Sequence, residues 1–466
     1  MSVRTIGSFT KIYDDSGTGA DDDVAVWRPD LGNMPGYHSL GDVAMNVHDR
    51  APANAFVVKG PKDALEPPTD YQLIWSDHGS GGDQDGSLWQ PIAPPGYTCL
   101  GGVAAHGYSK PSTDVVRCIK TVYTAPGTPR KVWDDEGSGA EMDVSIWEAA
   151  PIDAHGLIVS GFVARTSHEQ PGNAGLYRVL NKTMTDIPAF SATPVTPKTA
   201  RAMAPRIWLD SDEQYFPADV EDFLPHVREE DGYLVTKQPL GCDSCTDPRF
   251  LYGQRPYERD VPAYAQILNR TQDGAPTTIT DIFYWMFYPY NQGKEVCVGW
   301  DSPAGCIGGT KRFGNHVGDW GHAAIRFVDN LPHQLFLSSH SGGTQYFYGD
   351  KNVELHNWQP VAYAGRGSHE LYATPGRHVY HELPQGGDLA DDTDQGMMWD
   401  TAAALVPYQW QPLGSYKGSL SWLNITSRWG NPESGCLPII DQCVLEDGPT
   451  ALMKRDYAQP PLTPLE

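Results

Sequence analysis

No stretch of this 466-residue chain reaches the ~18–20 consecutive apolar residues of a membrane-spanning helix. Its first residues, MSVRTIGSFTKIYDD, lack the apolar core of a secretory signal. The expectation is a chain with no membrane span, cytoplasmic by default. Positive charge is scarce too. Lys and Arg number 34 against 58 Asp and Glu, a net charge of −24 spread along the chain. Such a surface repels phosphates, which excludes nucleic acid as a partner and argues against simple electrostatic docking on anionic lipid. A neutral glycolipid, a sugar or a small molecule stays open. Helical periodicity is hard to find. Its best case is ADVEDFLPHV, where Val220, Phe223 and Leu224 recur at helical spacing before Pro225 interrupts.

What is abundant is punctuation: 48 Gly and 39 Pro, the pattern of many short strands joined by turns. The chain reads as mainly β, and its length exceeds one ordinary core, so two or three domains are expected. Eight cysteines fall into close pairs: Cys99/Cys118, Cys242/Cys245, Cys297/Cys306 and Cys436/Cys443. Short loops closed by paired thiols read as disulfides, which imply an oxidising compartment and, with no leader, an unconventional route of secretion. Reduced neighbouring thiols are the alternative. Cys242 and Cys245 have half a zinc-site spacing, but no second pair matches it.

The first ~190 residues repeat. YDDSGTGADDDVAVW (13–27), WSDHGSGGDQDGSLW (75–89) and WDDEGSGAEMDVSIW (133–147) align without a gap. Each carries an Asp two positions in (Asp15, Asp77, Asp135), a Gly-rich turn, a second Asp (Asp23, Asp85, Asp143) and a closing Trp (Trp27, Trp89, Trp147). GYHSLG (36–41), GYTCLG (96–101) and GLIVSG (156–161) follow at a spacing of 60. A steady period of this kind marks internal repetition. Each unit is strand, turn, strand with half-buried alternation, and one alone cannot bury its apolar face. Three packed about a pseudo-threefold axis can, with the closing tryptophans expected near that axis: a β-prism over residues 1–190. The second aspartates have oxygens suited to Ca²⁺, but acceptance of turn amide hydrogen bonds is the preferred role for the acidic turns. A linker at 191–205, rich in Pro, Thr and Ala, separates this part from residues 206–466.

The second part shows short β segments with Gly-rich connections, the pattern of a sandwich with few short helices. TDIFYWMFYPYNQG (280–293) is an aromatic strand expected to end at Pro289. GNHVGDWGHAAIRF (314–327) places two histidines and an aspartate ahead of an apolar strand. In that strand Trp320, His322 and Ala324 share one face, and Asp319, Gly321 and Ala323 the other. HQLFLSSHSGGTQYF (333–347) and QPVAYAGRGSHELYA (359–373) bring His340 and His369. SSHSGG has no G-x-S-x-G elbow, so a serine hydrolase is disfavoured. DLADDTDQG (388–396) lacks calcium-loop spacing and reads as a solvated loop.

The repeats resemble the β-prism of the multivesicular-body-subunit-associated domain, and more closely the N-terminal half of the vacuolar protein sorting-associated protein 62 family. YWMFYPYN, HVGDW, SHSGG and GSHELY, in that order, resemble the C-terminal half of the same family. They are distantly similar to the necrosis- and ethylene-inducing peptide-like cytolysins. The first likeness implies membrane lipid recognition; the last implies a β-sandwich holding one divalent cation. Carried across, the cytolysin ligands fall on Asn291, His316 and Asp319, while the position of a further acidic ligand is Gly321. His322, His340 and His369 could complete a nitrogen-rich site, moving preference from Mg²⁺ or Ca²⁺ towards Zn²⁺, Fe²⁺ or Cu²⁺. Alternatively His316 and Asp319 are a hydrogen-bonded pair that fixes a turn.

The expected function is binding of a lipid headgroup, glycan or small molecule, with peripheral membrane contact and one divalent metal ion (Mg²⁺, Ca²⁺ or Zn²⁺) as the implied cofactor. His340, His369, Tyr290 and Trp320 would line the ligand site, and Asn291, His316 and Asp319 would hold the metal. The alternative is an enzyme acting on a small molecule, with His316 or His322 as general base and Asp319 orienting it.

Overall fold

A computed structural model describes residues 1–172, 177–187, 193–241, 248–297, 300–302, 305–340, 342–382, 388–437 and 442–465. The chain divides into two compact units. The first holds residues 1–193 with two later excursions, 328–334 and 346–357; the second holds 194–327, 335–345 and 358–466. The protein is mainly β, with many small antiparallel sheets and few short helices among the described residues.

In the first unit each repeat becomes three antiparallel strands. They are β1 (Phe9–Asp14), β2 (Ala25–Pro29) and β3 (Val43–Met45); β4 (Asp70–Ser76), β5 (Gly86–Ile92) and β6 (Val103–His106); and β7 (Thr124–Asp134), β8 (Ser145–Pro151) and β9 (Phe162–Arg165). The register slips at one equivalent place in each, between Lys11 and Tyr13, Leu73 and Trp75, and Lys131 and Trp133. Such a bulge re-aims the side chain beside it. Tyr13, Trp75 and Trp133 accordingly share one buried cluster with Val26, Leu88 and Ile146. Trp75 meets Tyr13 and Trp133 edge-on at 5.7 and 6.1 Å. Gly86 stands where the other repeats have Val24 and Val144, because a Cβ there would lie 2.0 Å from the Tyr13 ring.

The closing tryptophans do not meet at the centre, contrary to expectation. Each follows an inward-facing residue (Val26, Leu88, Ile146), so strand alternation turns it to the opposite face. Trp89 and Trp147 sit in separate small clusters, and Trp27 lies half-buried under Lys11.

Two closed rings of peptide hydrogen bonds join the repeats. At the Gly-rich turns the Asp83 amide donates to Ser16 O, Glu141 to His78 O, and Asp21 to Glu136 O. At the second landmark Asp42 donates to Gly102 O, Gly102 to Phe162 O, and Phe162 to Asp42 O. Gly41, Gly101 and Gly161 converge beside this second ring. A Cβ on Gly101 would stand 2.8 Å from Gly161 Cα and 3.0 Å from Gly41 Cα, so only glycine lets these backbones approach. Asp15, Asp77 and Asp135 accept from the amides of Val24, Gly86 and Val144 at 2.8, 2.9 and 2.8 Å, closing the turns.

The strands of the second unit that position the site are β10 (Arg206–Leu209), β11 (Tyr264–Gln272), β12 (Ala275–Asn291), β13 (His316–Val328), β14 (Leu331–Ser339), β15 (Gly342–Phe347), β16 (Gln359–Ala364), β17 (Asp388–Thr393), β18 (Met397–Asp400) and β19 (Val406–Gln409). Six of them form a sheet in the order β15-β14-β13-β12-β11-β19, and β16-β10-β18 belong to another. Residues 281–291 of β12 are buried without alternation, as in a sheet covered on both faces. On one face Phe283, Trp285 and Phe287 join Trp320 in an aromatic core. On the other, Tyr288 meets Trp399 of β18 edge-on at 6.3 Å.

Three segments differ from expectation. β12 runs through Pro289 to Asn291; its pairing with β11 ends at Trp285, so Pro289, which has no N–H, breaks no bond of that ladder. Inside the linker, Pro197–Ala202 is a helix, with Thr196 and Thr199 forming a capping box and Pro197 in the first turn. DLADDTDQG is not a solvated loop: β17 occupies its first six residues and Asp391 is fully buried. The ADVEDF stretch is a single turn, Val220–Phe223, capped by Asp219. Disulfides join Cys99 to Cys118, Cys297 to Cys306 and Cys436 to Cys443. Cys242 and Cys245 lie outside the described residues. No helix among the described residues is long and apolar enough to cross a membrane.

Candidate functional site

A cavity of about 400 Å³ opens in the second unit, of a size that suits a small ligand. β13 supplies His316, Asp319, Trp320, Gly321 and His322, and the end of β14 supplies Ser338 and His340. The turn after β16 brings Ser368, His369 and Glu370, and the C-terminal segment brings Arg455 and Tyr457. Of the residues singled out from sequence, His316, Asp319, Trp320, His322, His340 and His369 therefore converge. Asn291 and Tyr290 do not line this cavity. The Asn291 amide donates to Gly314 O at 2.9 Å, and Tyr290 is buried in the core against Tyr215.

His369 is the centre of the arrangement. Its Nε2 faces the carbonyl of Tyr215 at 2.9 Å and its Nδ1 faces Asp319 Oδ2 at 3.0 Å. Both partners only accept, so the ring must carry both protons and be a cation. Burial alone would push His369 down, but the Asp319 hydrogen bond and the Glu213 charge outweigh it and hold it above its ordinary value. Burial would likewise raise Asp319, yet the bond from His369 and the charge of His316 hold it below. Tyr288 stacks on the imidazolium with centroids 3.8 Å apart. The Glu213 carboxylate is itself held by the amides of Gln214, Tyr215 and Gly367. His316 is thus not the partner of Asp319. Its Nδ1 donates to Gly318 O at 2.7 Å, which leaves Nε2 as the available atom.

A second pair stands at the rim. His340 Nε2 meets Asp391 Oδ2 at 2.8 Å, and Asp391 also accepts from Lys294, Ser368 and Tyr372. Burial opposes ionisation of Asp391, but these donors hold its carboxyl far below the usual range. Glu370 behaves oppositely: burial and the charges of Asp319 and Asp391 push it well above a normal carboxylate. His322 is pushed down to about 3 by burial and by Arg455, among the rings of Trp285, Phe336 and Tyr457. So weak a base serves general-base chemistry poorly near neutrality.

A divalent cation in the cytolysin manner does not fit this donor set. Asp319 is engaged with His369, position 321 has no side chain, and the Asn291 amide points its hydrogens at a carbonyl. Among the described residues, the groups of three able to converge on an ion lie elsewhere. Sequence reading missed Glu213, Glu370, Asp391, Arg455 and Tyr457. Glu370 lay inside the GSHELY segment, and Asp391 in an acidic run that looked solvated. MKRDY, which carries Arg455 and Tyr457, offered no signal of its own.

Comparison with known proteins gives three results. The family described as vacuolar protein sorting-associated protein 62 matches residues 1–232 and 264–433. Vacuolar protein sorting-associated protein 62 of Saccharomyces cerevisiae is 26% identical over 290 residues, 49% of this chain and 58% of that protein. The chain thus spans less than two thirds of that relative. Among solved structures, the crystal structure of GNIP1Aa from Chromobacterium piscinae shares 29% identity over 40% of this chain and 37% of that one, with a TM-score of 0.36.

Proposed function

The chain belongs to the vacuolar protein sorting-associated protein 62 family, and from that premise we propose a binding protein that holds a glycan or a neutral glycolipid headgroup in the cavity of its second unit. In this reading the first unit is a β-prism that meets a membrane surface, and the second is a β-sandwich. The two hydrogen-bond rings of the first unit and the doubly covered sheet of the second support those assignments. One observation carries the ligand class. The cavity presents acceptors and donors side by side: the Asp319 and Glu370 carboxyl groups, His316 Nε2 and the Arg455 guanidinium, with Tyr457 as an aromatic wall. A polyhydroxyl ligand uses both kinds of group, whereas a bare ion uses one. The ligand is held directly, without a cation. The three disulfides support an oxidising compartment as its location.

A glycan panel and flotation with phosphatidylcholine vesicles carrying neutral glycosphingolipids test this. Wild-type protein should bind, and a chelator should not release it. His316→Ala and Glu370→Ala should each weaken binding by about tenfold or more while leaving the unfolding temperature unchanged. Wild-type protein that binds no panel member sinks the reading. The alternative, a His/Asp-dependent enzyme, draws on one observation: the exposed His340 imidazole is oriented by the buried Asp391 as a general base would be. It requires turnover of a small-molecule substrate that His340→Ala abolishes.

A further inference from the structure

Outside the cavity, two clusters of metal-ligating side chains recur at equivalent places in the first unit. In the first repeat they are Asp15, Asp23 and His48; in the third, Asp135, Asp143 and His168. Within each, one ligand atom per residue lies within 4.8 Å of the others. His48 Nε2 stands 2.5 Å from Asp15 Oδ1 and 3.6 Å from Asp23 Oδ1, and His168 Nε2 stands 2.6 Å from Asp135 Oδ1. The histidines are 120 residues apart, two periods of the repeat. The middle repeat has the two acids, Asp77 and Asp85, but Tyr108 at the histidine's place, its hydroxyl on Asp85 at 3.1 Å.

We propose that the first and third repeats each bind one Zn²⁺-class ion through two carboxylates and an imidazole, and that the middle repeat does not. One imidazole and two carboxylates with an open fourth position is a donor set zinc accepts, at ~2.0–2.2 Å from each ligand. The N···O separations need widen by only about 1 Å around such an ion. The surrounding contacts orient the ligands. The amides of Val24 and Val144 hold Asp15 and Asp135 at 2.8 Å, and Ser16 Oγ stands 3.4 Å from His48 Nδ1, leaving Nε2 for the carboxylate side. Asp15 and Asp135 are buried while Asp23 and Asp143 are exposed, so an ion enters from solvent onto a fixed inner ligand. Imidazole disfavours Ca²⁺ as the occupant. A neutral tyrosine hydroxyl is no ligand, which makes the middle repeat an internal control.

The experiment is zinc titration of the chelator-stripped full chain by calorimetry, with metal content measured after dialysis. Asp23→Asn and Asp143→Asn change exposed side chains and preserve shape, so folding is retained. Each should lower the zinc stoichiometry by one, the double variant by two, and Tyr108→His should raise it by one. The proposal is overturned if the wild type takes up no zinc, or if Asp23→Asn and Asp143→Asn leave its stoichiometry unchanged.

Discussion

His340 and His369 hold φ angles of 46° and 60°, a region that costs a non-glycine residue about 1–3 kcal/mol. Each is held there by a carboxylate, Asp391 or Asp319, and both line the same cavity. The His369–Asp319 pair has a consequence in pH. His369 titrates above its ordinary 6.5, so its share of stability is complete below that value and fades as pH rises through the elevated one. Asp319 titrates below 3.8, so its share is complete above that value and fades as pH falls. Asp319→Asn should therefore cost about 3 kcal/mol between roughly pH 4 and 6.5, and less on either side. Denaturant unfolding of both proteins across pH 3–9 would measure it, and a pH-independent difference would contradict the assignment. The sequence displayed the candidates for this site but not the pairing. Nothing along the chain tells His316 from His369 as the partner of Asp319, because a turn 50 positions away supplies the donor.

At the scale of elements, the repeats were legible and their packing was only half so. Period and turn chemistry showed three strand–turn–strand units. Which aromatic faces inward depends on a one-residue slip in register, which no alternation pattern announces. Tyr13, Trp75 and Trp133 therefore took the central place expected of Trp27, Trp89 and Trp147. The glycine closing each second landmark was visible as a motif, whereas its cause is the approach of three backbones. Gly101→Ala should thus destabilise the first unit by about 1–3 kcal/mol, the range for overpacking a close contact. Alanine at exposed Gly172, with open space around its Cβ and no positive φ, is the comparison. Thermal unfolding of the two variants decides the matter: equal losses would mean that the convergence exerts no strain.

For the whole molecule, composition was the reliable guide: abundant turns, little helix and a mainly β outcome. Cysteine spacing suggested pairings, and three of them are disulfides. Cys99–Cys118 closes the longest of these loops, its ends 19 positions apart, and removing such a crosslink costs about 3 kcal/mol. Cys118→Ala should lower stability by that order in denaturant, and non-reducing peptide mapping should return all three pairs. Free thiols at Cys99 and Cys118 in protein isolated under thiol-blocking conditions would contradict it.

The two peptide rings also set a count. In an open stack of repeats, a copy can be added or lost with only the ends affected. Here every repeat hands a proton donor to one neighbour and takes one from the other, so the series has no end at which to grow. A repeat added to or removed from residues 1–190 would open both rings. Each opened ring would hold one unmatched amide and one unmatched carbonyl, so a change of count has to be absorbed by re-closing the whole unit and not at its ends.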